Sequence, residues 1–418
     1  MHPLLRKIEK GGTPPLSAFM DAFDTHFDLL DRLAKTAQDP EWHGEGNVLT
    51  HTGRVLNETY AELAGAAAHL EPSRRLVLVL GALLHDIAKP LVTRTDFVGE
   101  RERLIAPHHA DRGRSYLAYP LLDLGLPHAL AWQLLALVGH HHDPKKLVLH
   151  DKPIAAYRRL ARLADLRLLY HLERADMRGR DAPDISYQLD LIEMFRLYAE
   201  EFGLWGNPDP YAEWRDTINE VLAERDEETQ SYVLGRAIHE AEAGLIMTPH
   251  EAIARAYGHL NSFPTLVVTC GPSGSGKSSW IEAHLPDYQV VSLDALRETL
   301  VRRRAEQSLN GRVRQAAREA LREHLRHGER VVWDATTLHR DGRGAVLKLG
   351  FDYHAHVTLV LFHVPEAELL ARNEARAHPV PGDILRRQLD SMDFPYASEA
   401  HRLLVVNAEG VIVHSAGA

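Results

Sequence analysis

The segment TLVVTCGPSGSGKSSWIEAHL, residues 265–285, indicates the architecture of the second half of the chain. The β-branched run TLVVTC predicts a strand. The loop that follows, residues 271–278, fits G-x-x-x-x-G-K-[ST] in full and opens a helix. Backbone N–H groups of such a loop close on phosphate oxygens, while Lys277 reaches the β- and γ-phosphates and the Ser278 hydroxyl ligates Mg²⁺. The pattern therefore predicts a domain that binds ATP with Mg²⁺. The predicted nucleotide-binding residues are Gly271, Ser273, Gly274, Ser275, Gly276, Lys277, Ser278 and Ser279.

The alternation of β-branched runs with helical segments continues on the C-terminal side of this loop. Four more β-branched runs, YQVVSL, RVVWDA, HVTLVLFHV and HRLLVV, alternate with longer helical or Arg-rich segments. This alternation is typical of a parallel sheet covered by helices. We therefore expect an α/β P-loop domain with a parallel sheet over residues 263–418.

Polar residues at the predicted strand ends indicate where the phosphate goes. Asp294 follows the second strand, and Arg297 stands one helical turn later. A carboxylate there can accept a hydroxyl proton, and an arginine beside it can hold an acceptor phosphate. Asp334 ends the third strand, where it can contact Mg²⁺ or substrate. Arg372 and Arg376 lie four residues apart on one helix, which suits a lid over the phosphoryl group. The plain alternatives are an N-cap aspartate and surface arginines.

The first half of the chain has a different pattern. From about residue 16 to 198 apolar residues recur at three- and four-residue spacing, which predicts helices, and nothing there alternates like a strand. The turn-rich segment GLWGNPDP, residues 203–210, breaks the pattern. We expect an all-α domain over 1–202 and a helical connector over 203–262, with an N-cap at Thr248.

The segment LLHDIAKP, residues 83–90, places a histidine and an aspartate at the end of an apolar run. A buried carboxylate without compensation is costly, so a divalent metal bound by His85 and Asp86 would explain it. His51, at the start of an earlier helix, and Asp176, at the end of a later one, complete a mixed nitrogen and oxygen set. Because at least two ligands are neutral imidazoles, we expect Mn²⁺, Co²⁺, Ni²⁺ or Zn²⁺ rather than Mg²⁺.

Other residues near these segments are alternatives or additions. Asp165, eleven residues before Asp176, is the alternative for the last ligand. The segment EWHGEGN, just upstream of His51, offers Trp42 and His43 as substrate contacts. The histidine clusters in APHHADRG and VGHHHDP either add to the site or are merely exposed.

The composition limits what the chain can be. It has 418 residues, a formal net charge of −10, 27 histidines and one cysteine, Cys270. A single cysteine excludes an internal disulfide and a cysteine zinc site, so histidines and carboxylates must hold any metal. No apolar run reaches the roughly 18 residues of a membrane span. The N-terminal segment lacks the apolar core of a signal peptide. We expect a cytoplasmic protein without a membrane partner.

The order of phosphate loop, D-x-x-R, strand-end aspartate and R-N-x-x-R resembles the phage-type polynucleotide 5′-kinase family over about residues 263–405. The loop alone is shared with small-molecule kinases, and the other motifs narrow the choice. The resemblance implies that Asp294 is the general base and that Arg297 holds the 3′-side phosphate of the terminal nucleotide. The paired arginines would embrace the ATP phosphates, and the strand-end aspartate would contact the substrate. The catalytic residues implied are Asp294, Arg297, Lys277, Arg372, Arg376 and Asp334.

HDIAK resembles the H-D-x-x-K core of the HD phosphohydrolase superfamily. ADMRGR resembles the last ligand segment of HD domains attached to CCA-adding enzymes, and the whole resemblance covers roughly residues 20–195. It implies that Lys89 contacts the scissile phosphate. In HD enzymes with two metals, histidines from two further places complete a second site. His109 with His140 or His141 are the matches here.

An HD module followed by a kinase is similar to the bacterial HD-Pnk RNA-repair family over nearly the whole chain. This resemblance implies a bifunctional end-healing enzyme. Its HD module would hydrolyse 2′,3′-cyclic phosphate and 2′- or 3′-phosphate ends, and its kinase module would phosphorylate 5′-hydroxyl ends. The partners would be RNA ends, with DNA ends as the alternative. Because the sequence lacks a K-x-D-G nucleotidyl-transfer motif, sealing would need a separate RNA ligase.

Three other functions are open at this point. A nucleotide-metabolising HD phosphohydrolase fused to a small-molecule P-loop kinase would act on mononucleotides and not on oligonucleotides. A regulatory ATPase whose HD fold has lost its chemistry would not need the complete set of predicted metal ligands. An RNA-binding module without catalysis would not require both Lys277 and Ser278.

Overall fold

The computed structural model describes residues 2–301, 309–376 and 379–417. The chain divides between Pro210 and Tyr211 into two compact units, and each is described by itself below. Most of the predicted connector therefore belongs to the second unit. Within the described ranges, no helix is both long and apolar enough to cross a membrane.

The first unit is helical, as the spacing of its apolar residues predicts. Its helices are α1 (Pro3–Glu9), α2 (Leu16–Phe23), α3 (Leu30–Leu33), α4 (Val48–Ala64), α5 (Pro72–Leu84), α6 (Lys89–Val92), α7 (His109–Leu117), α8 (Pro120–Asp123), α9 (His128–His140), α10 (Asp143–Leu149), α11 (Ile154–Leu163), α12 (Leu166–Gly179) and α13 (Ile185–Glu201). Every residue of α5 from Leu76 to Leu84 is buried, so this helix lies at the centre of the unit. α4 and α12 pack against α5 and against each other.

Side-chain caps fix where the two helices beside α5 begin. Asn47 Oδ1 accepts a hydrogen bond of 2.9 Å from the N–H of Thr50 at the start of α4. Asp165 Oδ1 accepts one of 3.0 Å from the N–H of Arg167 at the start of α12. A cap satisfies N–H groups that have no partner within the helix. The cap on α4 places His51 one turn inside the helix.

The expectation of an all-α domain over 1–202 is wrong for residues 94–105, which form two strands. Strands β1 (Arg94–Val98) and β2 (Arg101–Ile105) form an antiparallel hairpin. Gly99 at its turn has a φ of 64°, which glycine adopts without strain. Both strands are largely exposed and rich in charged residues, so the apolar alternation that identifies a half-buried strand is missing.

The second unit is an α/β domain preceded by a group of helices. Its helices are α14 (Ala212–Val221), α15 (Glu227–Glu242), α16 (Pro249–Ala256), α17 (Lys277–His284), α18 (Leu293–Val301), α19 (Leu309–Arg326), α20 (Arg340–Asp352), α21 (Glu366–Glu374) and α22 (Gly382–Asp390). Its strands are β3 (Thr265–Cys270), β4 (Gln289–Ser292), β5 (Arg330–Asp334), β6 (His356–Phe362), β7 (Arg402–Val406) and β8 (Ile412–Gly417).

The sheet of the second unit has the strand order β4-β5-β3-β6-β7-β8. The strands from β3 to β7 are the five predicted from the sequence, and their pairings are parallel. β8 pairs antiparallel with β7 at one edge. β3 and β6 are buried along their whole length, as expected of strands covered on both faces. The phosphate loop joins the C-terminal end of β3 to α17.

The helices that precede the sheet have an apolar core of their own. Buried Trp214 on α14, Tyr232 on α15 and Ala252 on α16 belong to this core. The N-cap expected at Thr248 is confirmed, because its hydroxyl accepts a hydrogen bond of 3.3 Å from the N–H of Glu251. Glu251 in turn accepts from the N–H of Thr248, which completes a capping box.

Candidate functional site

Four predicted metal ligands of the first unit meet at one buried point. His51 lies on α4, His85 and Asp86 follow the last residue of α5, and Asp176 lies near the end of α12. His51 Nε2 is 2.9 Å from Asp176 Oδ1 and 3.7 Å from Asp86 Oδ2. His85 Nε2 is 3.2 Å from the same Asp86 oxygen. All four side chains are buried, so the three central helices deliver them to one place.

The arrangement of these atoms fits a divalent metal. Within the described part of the chain, His51 Nε2, His85 Nε2 and both carboxylate oxygens of Asp86 are buried without an aligned hydrogen bond, although they lie close together. Orphaned polar atoms of this kind are rare in folded proteins. Imidazole nitrogen with carboxylate oxygen is a donor set that transition metals bind.

The charges around the cluster keep its carboxylates ionised. Burial raises the pKa of Asp86, but the ring of His85 and the ammonium group of Lys89 outweigh it and hold that pKa well below its usual range. Burial also raises the pKa of Asp176, but the guanidinium of Arg180 and the rings of His51 and His85 together hold that pKa well below its usual range. Both carboxylates are therefore available as ligands at neutral pH.

Two cations border the cluster. Lys89 Nζ lies 2.7 Å from Asp86 Oδ2 and donates a hydrogen bond of 2.6 Å to Gln38 Oε1. Arg180 donates to both oxygens of Asp176, at 3.1 and 2.8 Å. Sequence reasoning did not single out Arg180, although it stands four residues after the aspartate in the quoted segment ADMRGR.

A further carboxylate, Glu45, was also missed. Its Oε1 accepts a hydrogen bond of 2.8 Å from His43 Nδ1 and lies 2.8 Å from His51 Nδ1. Its Oε2 accepts one of 2.9 Å from the N–H of Asp181. Burial raises the pKa of Glu45, but the two histidines and backbone N–H groups lower it far more. Glu45 therefore orients the metal-facing ring of His51 from behind, as outer carboxylates do in metal sites.

A second histidine cluster borders Asp86. His109 Nε2 lies 3.2 Å from Asp86 Oδ1, 3.3 Å from His141 Nε2 and 3.2 Å from His142 Nε2. The nitrogens of His109, His141 and His142 are close enough together to hold one ion. His109 and His141 are among the predicted ligands, and His142 is an addition that the sequence did not single out.

The structure places two other predicted residues elsewhere. His140 Nδ1 lies 2.7 Å from Asp143 Oδ2, so His140 is not part of the second cluster. Neighbouring helix residues differ in direction by about 100°, and for this reason His140 and His141 point to different sides. Asp165, the alternative to Asp176, caps α12 and pairs with Arg74 at 3.0 Å. Asp176 is therefore the aspartate that reaches the buried cluster.

In the second unit, the phosphate loop has the conformation that its sequence predicts. Gly276 has a φ of 89°, a left-handed conformation that lets the chain turn directly into α17. Lys277 Nζ donates to the carbonyls of Gly271 at 3.0 Å and Pro272 at 2.7 Å, and to Ser275 Oγ at 3.2 Å. Burial lowers the pKa of Lys277 to about 8. The loop therefore curls around its own lysine.

Three other predicted side chains lie at or beyond the C-terminal ends of the neighbouring strands β3, β5 and β4, and a fourth, Arg297, lies one turn into α18. The Ser278 hydroxyl donates to Asp334 Oδ2 at 3.2 Å, and burial raises the pKa of Asp334. Asp294 begins α18 and forms an ion pair with Arg297. The Asp294 side chain is 87% exposed, so an incoming substrate can reach it.

A cavity of about 760 Å³ joins these groups. Among the predicted residues, it is lined by Lys277, Ser278, Asp294, Asp334, Arg372 and Arg376. Arg372 pairs with Glu368 at 2.7 Å and donates to the carbonyl of Ala408 at 2.6 Å. The two lid arginines therefore lie on the same cavity as the loop lysine.

Sequence reasoning missed two residues that hold the phosphate loop and the segment after β5. Gln388 Oε1 accepts a hydrogen bond of 2.8 Å from the N–H of Ser273. Arg343 is fully buried, donates to the carbonyl of Thr337 at 3.1 Å and pairs with Glu399 at 2.6 Å. Ser273 and Glu399, the partners of Gln388 and Arg343, lie far from them in sequence, so no local pattern indicates these contacts.

Comparison with known proteins agrees with this division of the chain. A model of the HD domain matches residues 48–167, and a model of the AAA domain matches residues 266–395. Among solved structures, a gluconokinase from Sinorhizobium meliloti 1021 is 26% identical; the match covers 35% of this chain and 84% of that chain, with a TM-score of 0.28. No curated protein matches the chain.

The fold class is therefore settled for both units. The chain contains a helical HD domain followed by a domain whose mostly parallel sheet has the P-loop kinase fold. HD domains bind divalent metals, and a P-loop kinase uses ATP with Mg²⁺. The chain thus combines a phosphohydrolase domain with a phosphotransfer domain.

Proposed function

We propose that the protein is a bifunctional RNA end-healing enzyme of the HD-Pnk type. One observation carries the proposal: a single chain holds a buried histidine and aspartate cluster in an HD domain and a phosphate loop that shares a cavity with an exposed carboxylate. RNA cleavage by the 2′-hydroxyl leaves a 2′,3′-cyclic phosphate on one side and a 5′-hydroxyl on the other. Each site suits the chemistry of one of these ends.

In the kinase site, Asp294 accepts the proton of the attacking 5′-hydroxyl. Its exposure on the cavity supports this role, because a polynucleotide end must reach it from solvent. Arg297, its ion-pair partner, holds the phosphate on the 3′ side of the terminal nucleotide. Lys277 and the lid arginines neutralise the transferring phosphoryl group. Ser278 and Asp334 would hold Mg²⁺, which would supply positive charge to offset that of the ATP phosphates.

In the HD site, Lys89 binds a nonbridging oxygen of the scissile phosphate, since its ammonium group already borders the metal-ligand carboxylate Asp86. Arg180 fixes the orientation of Asp176, and Glu45 fixes that of His51. When bound, a divalent metal polarises the phosphate and makes water more acidic. The histidine-rich donor set supports Mn²⁺, Co²⁺, Ni²⁺ or Zn²⁺ over Mg²⁺.

The test uses one RNA oligomer with a 5′-hydroxyl and a 2′,3′-cyclic phosphate. The protein is incubated with this RNA, ATP and each divalent metal separately, and both ends are analysed. We expect phosphate on the 5′ end and loss of phosphate from the 3′ end. A matched DNA oligomer with a 3′-phosphate tests the alternative of DNA ends.

The same assay tests a nucleotide-metabolising enzyme fused to a small-molecule kinase. The phosphate loop is common to both kinds of kinase, so substrate size decides between them. Activity on mononucleotides without activity on oligonucleotides would favour the alternative and contradict end healing.

The proposal also places the protein in the cytoplasm beside a separate RNA ligase. Healing leaves a 5′-phosphate and a 3′-hydroxyl, which are the ends that such a ligase joins. Adding a purified RNA ligase to the healed oligomer should therefore give a joined product without further processing.

A further inference from the structure

A cavity of about 160 Å³ opens beside the metal cluster of the first unit. It is lined by Lys89, which is buried, and by His109 and Arg180, which are partly buried; all three already belong to the candidate site. Gln38 and Trp42 also line it. The cavity therefore connects the cluster to side chains that the proposed hydrolysis does not yet use.

Trp42 presents an aromatic surface at the rim of this cavity. Trp42 is 39% exposed, so its ring is accessible to a ligand from solvent. The Arg103 guanidinium lies 5.0 Å from the centre of its ring. Arg103 is in turn held by Asp39 at 2.9 Å and by an ion pair with Glu41. The ring is therefore held in place before any ligand arrives.

Gln38 contributes a donor that lacks a partner. Its Oε1 accepts a hydrogen bond from Lys89 Nζ, which fixes the orientation of the amide. Its Nε2 is buried and makes no hydrogen bond to any residue that the structure describes. A buried N–H without an acceptor is costly, so this amide is suited to donate to a ligand in the cavity.

We propose that this cavity binds the terminal nucleoside of a polynucleotide 3′ end. The base stacks on Trp42, and the amide of Gln38 donates to an acceptor on the same nucleoside. This inference rests on the proposed function, because Lys89 and the metal cluster must hold the attached phosphate. The HD site would then select nucleotide ends over simple phosphate esters.

The test compares two RNA oligomers that carry a terminal 2′,3′-cyclic phosphate. One ends in cytidine, and the other ends in a ribose that lacks its base. Stacking a base on an aromatic side chain contributes roughly tenfold or more to binding. We expect the wild-type protein to hydrolyse the cytidine end with a kcat/KM about tenfold higher, mainly through a lower KM.

In the Trp42→Ala variant the ratio of the two kcat/KM values should fall close to one, and in Trp42→Phe it should stay near the wild-type ratio. Phe97→Ala is the matched control, because Phe97 is an aromatic on the nearby hairpin, 70% exposed, that does not line the cavity. The control should keep the wild-type ratio. A ratio near one in the wild-type protein, or an unchanged ratio in Trp42→Ala, would overturn the nucleoside subsite.

Failure of the proposed function gives a different result. If the wild-type protein opens neither cyclic end with any metal, the hydrolytic proposal is wrong, and binding decides the subsite. Dissociation constants of the two oligomers with a 3′-phosphate are then measured by fluorescence anisotropy in the presence of Mn²⁺. If the wild-type protein binds the cytidine-ended oligomer more tightly, and Trp42→Ala binds both oligomers equally, the subsite is supported. Equal dissociation constants in the wild-type protein overturn it.

Discussion

Asp294 differs from the other carboxylates of the two sites because solvent reaches it, and its partner Arg297 follows one helical turn later. We predict that Asp294→Ala reduces 5′-phosphorylation of an RNA oligomer by about 10²–10⁴-fold, the usual loss when a general base is removed. ATP binding should persist, because the loop that holds ATP does not depend on this residue. Initial rates with labelled ATP and a separate ATP-binding titration check both points.

Asp383→Ala is the control for this variant. Like Asp294, Asp383 belongs to an exposed ion pair on a helix; its partner is Arg387, four residues later. Unlike Asp294, Asp383 does not line the kinase cavity. Its removal should leave phosphorylation near the wild-type rate. Wild-type kinase activity in Asp294→Ala would remove this carboxylate from the mechanism.

Glu45 does not belong to the predicted metal ligands, but it contacts one of them, His51. Glu45 Oε1 accepts a hydrogen bond from His43 Nδ1 and lies 2.8 Å from His51 Nδ1, the ring nitrogen on the side away from the buried cluster. We predict that Glu45→Gln weakens metal binding by about 10–100-fold, the usual effect of losing an outer carboxylate. Titration calorimetry with Mn²⁺ or Zn²⁺ measures this directly, without reference to activity.

Asp165→Asn provides the comparison for the Glu45 variant. Asp165 is also a carboxylate of the first unit, but it caps α12 and pairs with Arg74. The Asp165→Asn variant should bind Mn²⁺ or Zn²⁺ with the same affinity as the wild-type protein. If Glu45→Gln binds metal as tightly as wild type, the carboxylate has no orienting role.

At the scale of single elements, α20 contains two glycines with opposite roles. A Cβ at Gly350 would lie 2.6 Å from Val357 Cγ2 and 2.8 Å from Leu266 Cδ2, whereas one at Gly344 would meet nothing within 4 Å. We predict that Gly350→Ala lowers the free energy of unfolding by about 1–3 kcal/mol through overpacking against the sheet. Gly344→Ala should raise it by about 0.5–1 kcal/mol, because alanine favours helix. Urea denaturation of both variants compares them, and equal shifts would contradict this packing of α20.

Strand β6 begins with a buried histidine, His356, and we predict that it makes the second unit less stable in acid. Burial lowers the pKa of His356 to about 4 from 6.5. The unfolded chain therefore binds the proton first, so stability is complete above about pH 6.5 and falls as the pH drops toward 4. The shift corresponds to about 3 kcal/mol. Hydrogen exchange across β3 and β6 at pH 7.5 and 5 should show this loss, and His356→Gln should reduce it. Equal protection at both pH values would contradict the prediction.

The sequence predicted those elements whose pattern reflects burial. Strands β3, β5, β6 and β7 are mostly buried, and they were identifiable because strands covered on both faces need nearly continuous apolar runs. The β1–β2 hairpin and strand β8 were not predicted, since their residues are largely exposed and carry no apolar alternation. Their positions depend on backbone pairing, which a single sequence does not reveal.

The sequence identified the residues of the candidate metal site, but it did not identify the residues that orient them. His51, His85, Asp86 and Asp176 stand in recognisable segments, and the structure brings them together. The sequence left open whether His140 or His141 joins His109, because only the rotation of α9 decides which ring faces inward, and it did not single out His142. Glu45 and Gln388 act through contacts made in the folded chain, and no spacing rule indicates them.

The two proposed sites would differ in ligands, cation and leaving group, so we expect their chemistries to separate by mutation. The buried cluster of the HD domain contains His85 and Asp86, and the phosphate loop contains Lys277. We predict that the His85→Ala and Asp86→Ala double variant loses cyclic-phosphate hydrolysis and keeps 5′-phosphorylation near the wild-type rate. Lys277→Ala should show the reverse. End analysis of the same RNA oligomer measures both activities in one sample.

The metals should separate the activities in the same way. Neutral imidazoles favour transition metals, whereas Mg²⁺ prefers sites made of oxygen alone. Hydrolysis should therefore be faster with Mn²⁺, Co²⁺, Ni²⁺ or Zn²⁺ than with Mg²⁺, while Mg²⁺ alone supports the kinase. If Mg²⁺ alone drove hydrolysis at the full rate, or if the double variant still opened the cyclic phosphate, the histidine cluster would not be the hydrolytic site. The buried Asp86 would then need a different explanation, because its two oxygens lack aligned hydrogen bonds to any described residue.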